Sequence, residues 1–221
     1  LRPVRRCLPQ FRLDQHLEIR PKGWWDERQH LGSEEAGGGI TSFTENRRKT
    51  QMSVEKIEAL VVGAGQAGLA MSGHLGQHGV PHLVLERSRI AERWRSERWD
   101  ALVANGPAWH DCYPGLEFPG YDADAFVPKE KIADAFVAYA EKIKAPIRCG
   151  VEVKSVRKND GRPGFRVETS QGAIEANFVI AATGAFQKPV IPALVPGSAG
   201  IMQIHSTAYR NPGQLPAGTV L

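Results

Sequence analysis

Apolar and polar positions change rhythm several times along this chain. Ile57-Glu-Ala-Leu-Val-Val62 is a near-continuous apolar run, the pattern of a strand buried on both faces. Gly63-Ala-Gly-Gln-Ala-Gly68 follows without a gap. Leu69, Met71 and Leu75, set among small residues, then predict a helix packed on a sheet, ended by Gly79. His82-Leu-Val-Leu-Glu86 predicts the second strand, which makes the unit long enough for a βαβ crossover. Residues 87–127, rich in Arg, Trp, Pro and Gly, have no clean period and predict a long functional segment with short helical pieces. Pro128 then stands in the first turn of an amphipathic helix, with Ile132, Phe136, Tyr139 and Ile143 on one face. Beyond Pro146, three strands are expected at Val151–Lys158, Phe165–Thr169 and Ala173–Ala176, with turns at residues 159–162 and 170–172. Phe178–Ala182 reads as a further strand ending in Thr183-Gly184. This order predicts an α/β fold: a Rossmann-like three-layer sheet with a β-meander insertion.

Residues 1–51 do not share these rhythms. They hold Arg5-Arg6, Gly37-Gly38-Gly39 and Arg47-Arg48-Lys49, and Met52 stands just before the first strand. The expectation is a disordered or non-native leader, with the fold over 52–221. At the other end, a turn at 216–218 leads into Val220-Leu221, which reads as the start of a strand cut short and predicts a truncated domain.

Composition alters this picture in one respect. With 42% hydrophobic residues and 24% charged, a normal core is available and a wholly disordered chain is excluded. No apolar run reaches the length of a membrane-spanning helix. The formal charge of +4 suggests nucleic acid, but ten Lys/Arg against seven Asp/Glu fall in residues 1–52. The remaining 18 and 17 leave a net charge of +1 over the expected fold, so no nucleic-acid partner is expected. Cys7, Cys112 and Cys149 are too scattered for a disulfide framework and fit a reducing cytoplasm. His74, His78, His82 and His110 lack metal-ligand spacing, so no metal is expected.

Gly63, Gly65 and Gly68 match G-x-G-x-x-G. In that pattern the first glycine allows the strand-to-helix turn and the second lets a pyrophosphate approach the backbone. The third lets helix and strand pack closely. The helix N-terminus, with Gln66 and Ala67 in its first turn, offers unpaired N–H groups to phosphate. Glu86, 18 residues past Gly68 at the end of the next strand, stands where an acid accepts a ribose hydroxyl. A strand before and a helix after the glycines raise this reading above a mere packing turn. Arg93-Trp94-Arg95 then offers phosphate-pairing guanidinium groups and a flat ring, and Ala182-Thr183-Gly184 a second backbone approach point.

Together, the Gly63–Gly68 turn with Glu86, then Trp94-Arg95, Ala182-Thr183-Gly184 and His205-Ser206 with Tyr209 resemble the FAD-binding half of flavin-containing monooxygenases. The branch most similar is the bacterial flavoproteins described as cation-transport regulators, akin to plant auxin-forming monooxygenases. The resemblance covers residues 54–221. It implies FAD along the Gly turn, with Glu86 on the ribose and Arg87, Trp94 and Arg95 flanking the cofactor. It further implies Val153 at the adenine through its backbone, and Thr183 and Gly184 closing over it. The implied activity is an NADPH-driven oxygenation of a small organic substrate, with the NADPH site beyond residue 221 and this fragment inactive by itself. No catalytic residue is assigned. The family linker usually carries an aromatic six residues before His205 and a Gly four before it; this chain has Ala199 and Ile201 at those places. Two rival readings keep the nucleotide site: a non-oxygenating NAD(P)H-dependent flavoprotein reductase, and a non-catalytic redox-sensing module.

Overall fold

The computed structural model describes residues 54–112, 115–185, 187–193 and 199–220. The leader read at 1–51, the start at Met52 and the last residue, Leu221, lie outside the described residues.

The described residues form a mixed six-stranded sheet in the order β3-β2-β1-β6-β5-β4. Strand β1 (Glu55–Val62) lies at its centre, parallel to β2 (His82–Glu86) and to β6 (Gly172–Ala181). Strand β3 (Ile147–Cys149) extends the parallel part beyond β2. Strands β4 (Val153–Lys158) and β5 (Phe165–Thr169) run antiparallel, β5 against β6, as a meander.

The unbroken apolar runs of β1 and β2 follow from burial on both faces. Leu60, Leu83 and Leu85 point to one side and pack with Val151, Val167 and Ile174 of the meander half. Val61 and Val84 point to the other and pack with Leu69, Ile132 and Phe136. Those last three belong to helices α1 (Gln66–Gln77) and α3 (Lys129–Lys142). Each fully buried Leu or Val contributes about 1.5–3 kcal/mol relative to an exposed one.

Helix α1 buries Leu69 together with the small residues Gly68, Ser72 and Gly73, and Gly73 lies against Tyr139 of α3. It ends as expected at Gly79, with φ +66°. The Val80 N–H donates to Leu75 O and the Gly79 N–H to Gly76 O, a Schellman arrangement. Helix α3 buries the predicted Ile132, Phe136 and Tyr139. Pro128, expected within its first turn, is instead its N-cap, with extended backbone at ψ 148°.

Three expectations in the sheet are corrected. Strand β3 was not anticipated: it is three residues long at a sheet edge, with Arg148 and Cys149 exposed, and so carries no hydrophobic pattern. The first meander strand begins at Val153 rather than Val151. The segments 173–176 and 178–182 are one strand, β6. Asn177 looks like a break, but pairing with β1 runs from Ile174 to Ala181, and its side chain donates to Glu58 Oε2 at 2.6 Å.

The segment 87–127 contains one helical turn, α2 (Glu92–Ser96), and otherwise folds back on itself. The Ala104 N–H donates to Val127 O, the Ala108 N–H to Ala125 O and the Trp109 N–H to Ala123 O. No described helix is long and apolar enough to cross a membrane.

Candidate nucleotide-binding site

The sheet register brings three strand ends together. Val62 is level with Leu85 and with Ala181, so the Gly turn, Glu86 and the turn after β6 share one mouth. This is the carboxyl edge of the parallel strands, where α/β sheets bind ligands.

The three glycines of the first turn have different surroundings. A Cβ on Gly63, at φ +107°, would meet Ala182 O at 2.5 Å. One on Gly68 would meet Gly63 O at 1.8 Å. Gly65 has nothing within 4 Å of such a position. Gly63 and Gly68 are therefore required by packing, whereas Gly65 borders open space. Gly65 is also the N-cap of α1 and supplies no side-chain cap. The first-turn N–H groups of Gln66, Ala67 and Gly68 lack intrahelical acceptors and carry the positive end of the helix dipole.

Glu86 is bound directly to this turn. The Ala64 N–H donates to its Oε2 and the Ser88 N–H to its Oε1, both at 2.9 Å. A carboxylate has about four lone-pair sites, so acceptor capacity remains. Cys149 of β3 is level with Glu86. Partial burial, and then the Glu86 charge, push the Cys149 thiol above its ordinary value. The Val151 N–H donates to Glu86 O at 3.0 Å and ties the start of the meander to this edge. Val153 lies further along and pairs with Thr169.

The second turn closes against the first. The Ala182 N–H donates to Val62 O at 2.9 Å, and Gly184 has φ +78°. The Gln187 amide donates to Thr183 O and, at 3.4 Å, to Gly184 O.

Helix α2 is moored to the Gly turn by the Ala91 N–H, which donates to Ala64 O at 3.1 Å. Of Arg93-Trp94-Arg95, which the sequence offers as a group and the family resemblance narrows to Trp94 and Arg95, the structure seats the last two side chains against α3. Trp94 meets Phe136 edge-on, with ring centroids 6.3 Å apart, and Arg95 pairs with Asp134 at 3.1 Å. Arg87 is half-exposed, 3.9 Å from Glu97. The α2 side chain at the mouth is Arg93. Its Nη1 lies 3.8 Å from where a Cβ on Gly184 would be, and its Nε is 3.0 Å from Glu97 Oε2. The one sequence signal for Arg93 is its i,i+4 spacing to Glu97, which predicts the pair but not which side faces the mouth.

The segment around His205 docks on this region through partners that the sequence reading did not single out. The Arg210 guanidinium donates to Thr207 O at 2.8 Å and also to Ser96 O. The Asp100 N–H donates to Arg210 O at 2.8 Å, and Asn211 Nδ2 to Asp100 Oδ2 at 2.7 Å. His205 Nδ1 accepts from the Thr207 N–H at 3.1 Å. Among the described residues, no three His, Cys, Asp or Glu side chains gather as a metal site.

Residues 119–221 match the family model described as pyridine nucleotide-disulphide oxidoreductase. Among curated proteins, the chain is 40% identical over 167 residues to the CzcO-like oxidoreductase of Geobacillus kaustophilus (strain HTA426), covering 75% of this chain and 47% of that protein. It is 33% identical over 161 residues to the probable indole-3-pyruvate monooxygenase YUCCA1 of Arabidopsis thaliana, covering 69% of this chain and 37% of that one. The chain thus spans about half the length, or less, of the curated relatives it matches. Among solved structures, it is similar to a flavin-containing monooxygenase from Stenotrophomonas maltophilia, with a TM-score of 0.55, 23% identity, and coverage of 63% of this chain and 42% of that one. The bacillithiol disulfide reductase Bdr from Staphylococcus aureus superposes with a TM-score of 0.57 at 17% identity, over 66% of this chain and 43% of that one. The structural likenesses establish the fold, a mixed α/β sheet shared with these proteins.

Proposed function

From the resemblance of this chain to the FAD-binding half of flavin-containing monooxygenases and CzcO-like oxidoreductases, we propose that it binds FAD for an NADPH-driven oxidation of a small organic substrate. The observation that carries the proposal is the division of labour in the Gly turn. Gly63 and Gly68 are glycine because neighbouring backbone leaves no room, and Gly65 is glycine beside open space at an uncapped helix N-terminus. Packing accounts for Gly63 and Gly68 but not for Gly65, whose open position suits an anionic group bound by backbone N–H.

The residues present fit the adenosine diphosphate portion of FAD. Gly65 with the N–H groups of Gln66, Ala67 and Gly68 would face the diphosphate. Glu86, already oriented by Ala64 and Ser88, has lone pairs left for ribose hydroxyls. Ala182, Thr183 and Gly184 would line the opposite wall, and Arg87 would add positive charge at the rim. Val153, the first residue of β4, would contact adenine through its backbone. Bound FAD supplies hydride and oxygen chemistry that side chains lack. The chain's own residues bind it, orient it and screen it from water. Trp94 and Arg95 support the site through α3. NADPH as reductant belongs to the same proposal, and no described residue is assigned to it.

The test is retention of flavin. Purified protein incubated with FAD and passed through a desalting column is expected to emerge yellow, with flavin near one per chain. Gly65→Val is expected to emerge colourless with an unchanged circular dichroism spectrum. A wild-type protein that emerges colourless refutes the proposal.

A further inference from the structure

We infer that Arg93 is the diphosphate-contacting side chain of this site and makes it select a nucleoside diphosphate over a nucleoside. The inference rests on the FAD reading above and adds to it a residue and a selectivity.

The Glu97 carboxylate lies 3.0 Å from Arg93 and 3.9 Å from Arg87, so one anion is shared by two cations. The other anion at this mouth, Glu86, accepts from the Ala64 and Ser88 N–H groups, and among the described residues no bond joins it to Arg93. Arg95, one residue from the middle of this group, is neutralised by Asp134 on another element.

Arg93 has donors left over. A guanidinium carries five N–H bonds in a planar fork. Its Nε lies 3.0 Å from Glu97 Oε2, and its Nη2 reaches only the neutral Gln187 Oε1, at a long 3.4 Å. No other acceptor is bonded to Arg93 among the described residues. Its side chain is 22% exposed, so these donors are neither fully hydrated nor fully paired.

The position of Arg93 connects both backbone turns. Two residues before it, Ala91 is bonded to Ala64 of the first turn. On its far side, Nη1 lies over Gly184 of the second. Gln187, the weak partner of Arg93, is itself held by Thr183 and Gly184 carbonyls. Glu97 thus orients a guanidinium that spans the mouth, and a diphosphate offers it stronger acceptors than the Gln187 amide does.

The test is a set of fluorescence titrations with FAD, and displacement of FAD by ADP and by adenosine. Wild type is compared with Arg93→Met, which keeps an apolar stem, with Arg93→Lys, which keeps the charge, and with Arg166→Ala on β5 as control. Loss of a charge-assisted hydrogen bond to phosphate is expected to weaken FAD and ADP binding in Arg93→Met about tenfold or more. Adenosine binding stays unchanged, Arg93→Lys falls between, and added salt narrows the gap. The inference is overturned if Arg93→Met binds ADP like wild type, or loses adenosine as strongly as ADP. If wild type binds neither FAD nor ADP, the FAD reading itself fails.

Discussion

The βαβ unit at residues 55–86 and the arc at 87–127 meet at one mouth, yet they are built on different principles. Hydrogen bonds inside the βαβ unit run within α1 and between β1 and β2, and its core residues follow each other at helix or strand period. Among its described residues the arc has a single helical turn, and several of its bonds reach outward. Ala91 bonds to Ala64, Asp100 to Arg210, Ser96 O accepts from Arg210, and the Lys129 N–H donates to Leu102 O. The elements of the βαβ unit are thus legible from local pattern, although β1 also pairs with the distant β6, whereas the arc has no period of its own and takes its course from partners up to 114 positions away. Arg93, the side chain proposed to face the ligand, comes from the arc, in keeping with function residing on connections held by a rigid scaffold.

This contrast can be broken first at the Gly turn. Gly68→Ala places a Cβ 1.8 Å from Gly63 O, and the backbone on both sides is fixed by pairing. The expected loss exceeds about 4 kcal/mol, seen in denaturant unfolding as a missing cooperative transition. Gly65→Ala, three residues away, is expected to change stability by only about 0.5 kcal/mol while weakening FAD binding. Equal destabilisation by both changes would mean that the turn does not divide its glycines between packing and ligand.

A smaller effect is expected where the arc seats on α3. The Lys129 ammonium is 6% exposed and pairs with the exposed Glu130 at 2.9 Å. The Lys129 hydrogen bond holds the Glu130 carboxyl below its ordinary value. A carboxyl depressed in the folded state contributes stability above its unfolded pKa and loses it as pH falls through the folded one. Glu130→Gln is therefore expected to cost about 1 kcal/mol at neutral pH, discounted for the exposure of Glu130. That difference in thermal midpoint should shrink on acidification below the ordinary glutamate range. A constant difference across pH would remove the ion pair from the account.

The smallest expected effect sharpens the comparison most. Asn211→Ala removes the bond to Asp100, an exposed contact worth under about 1 kcal/mol. Hydrogen exchange is expected to speed up at residues 96–102 and to stay unchanged at 57–86. Equal acceleration in both stretches would make the two regions one cooperative unit.

The sequence reading succeeded where side chains repeat at a structural period. Strand β2 was read to the residue, α1 to its terminating Gly79, and the buried face of α3 at Ile132, Phe136 and Tyr139. It failed at β3, because a three-residue edge strand with two exposed members has no period to detect. It split β6 at Asn177, because turn propensity is local and the β1 ladder that overrides it is not.

For the site, the sequence by itself determined the Gly turn, Glu86 and the turn at Thr183–Gly184. Each is marked by residue type and spacing within a short stretch: glycines between a strand and a helix, an acid at a strand end, and a glycine at positive φ after β6. Only the tertiary structure decided which member of Arg93-Trp94-Arg95 faces the mouth. Their order in the chain is uninformative there, because one helical turn sends neighbouring side chains in different directions. Which direction is ligand and which is α3 depends on Phe136, Asp134 and Gly184, residues 39 to 91 positions away that the fold alone brings near.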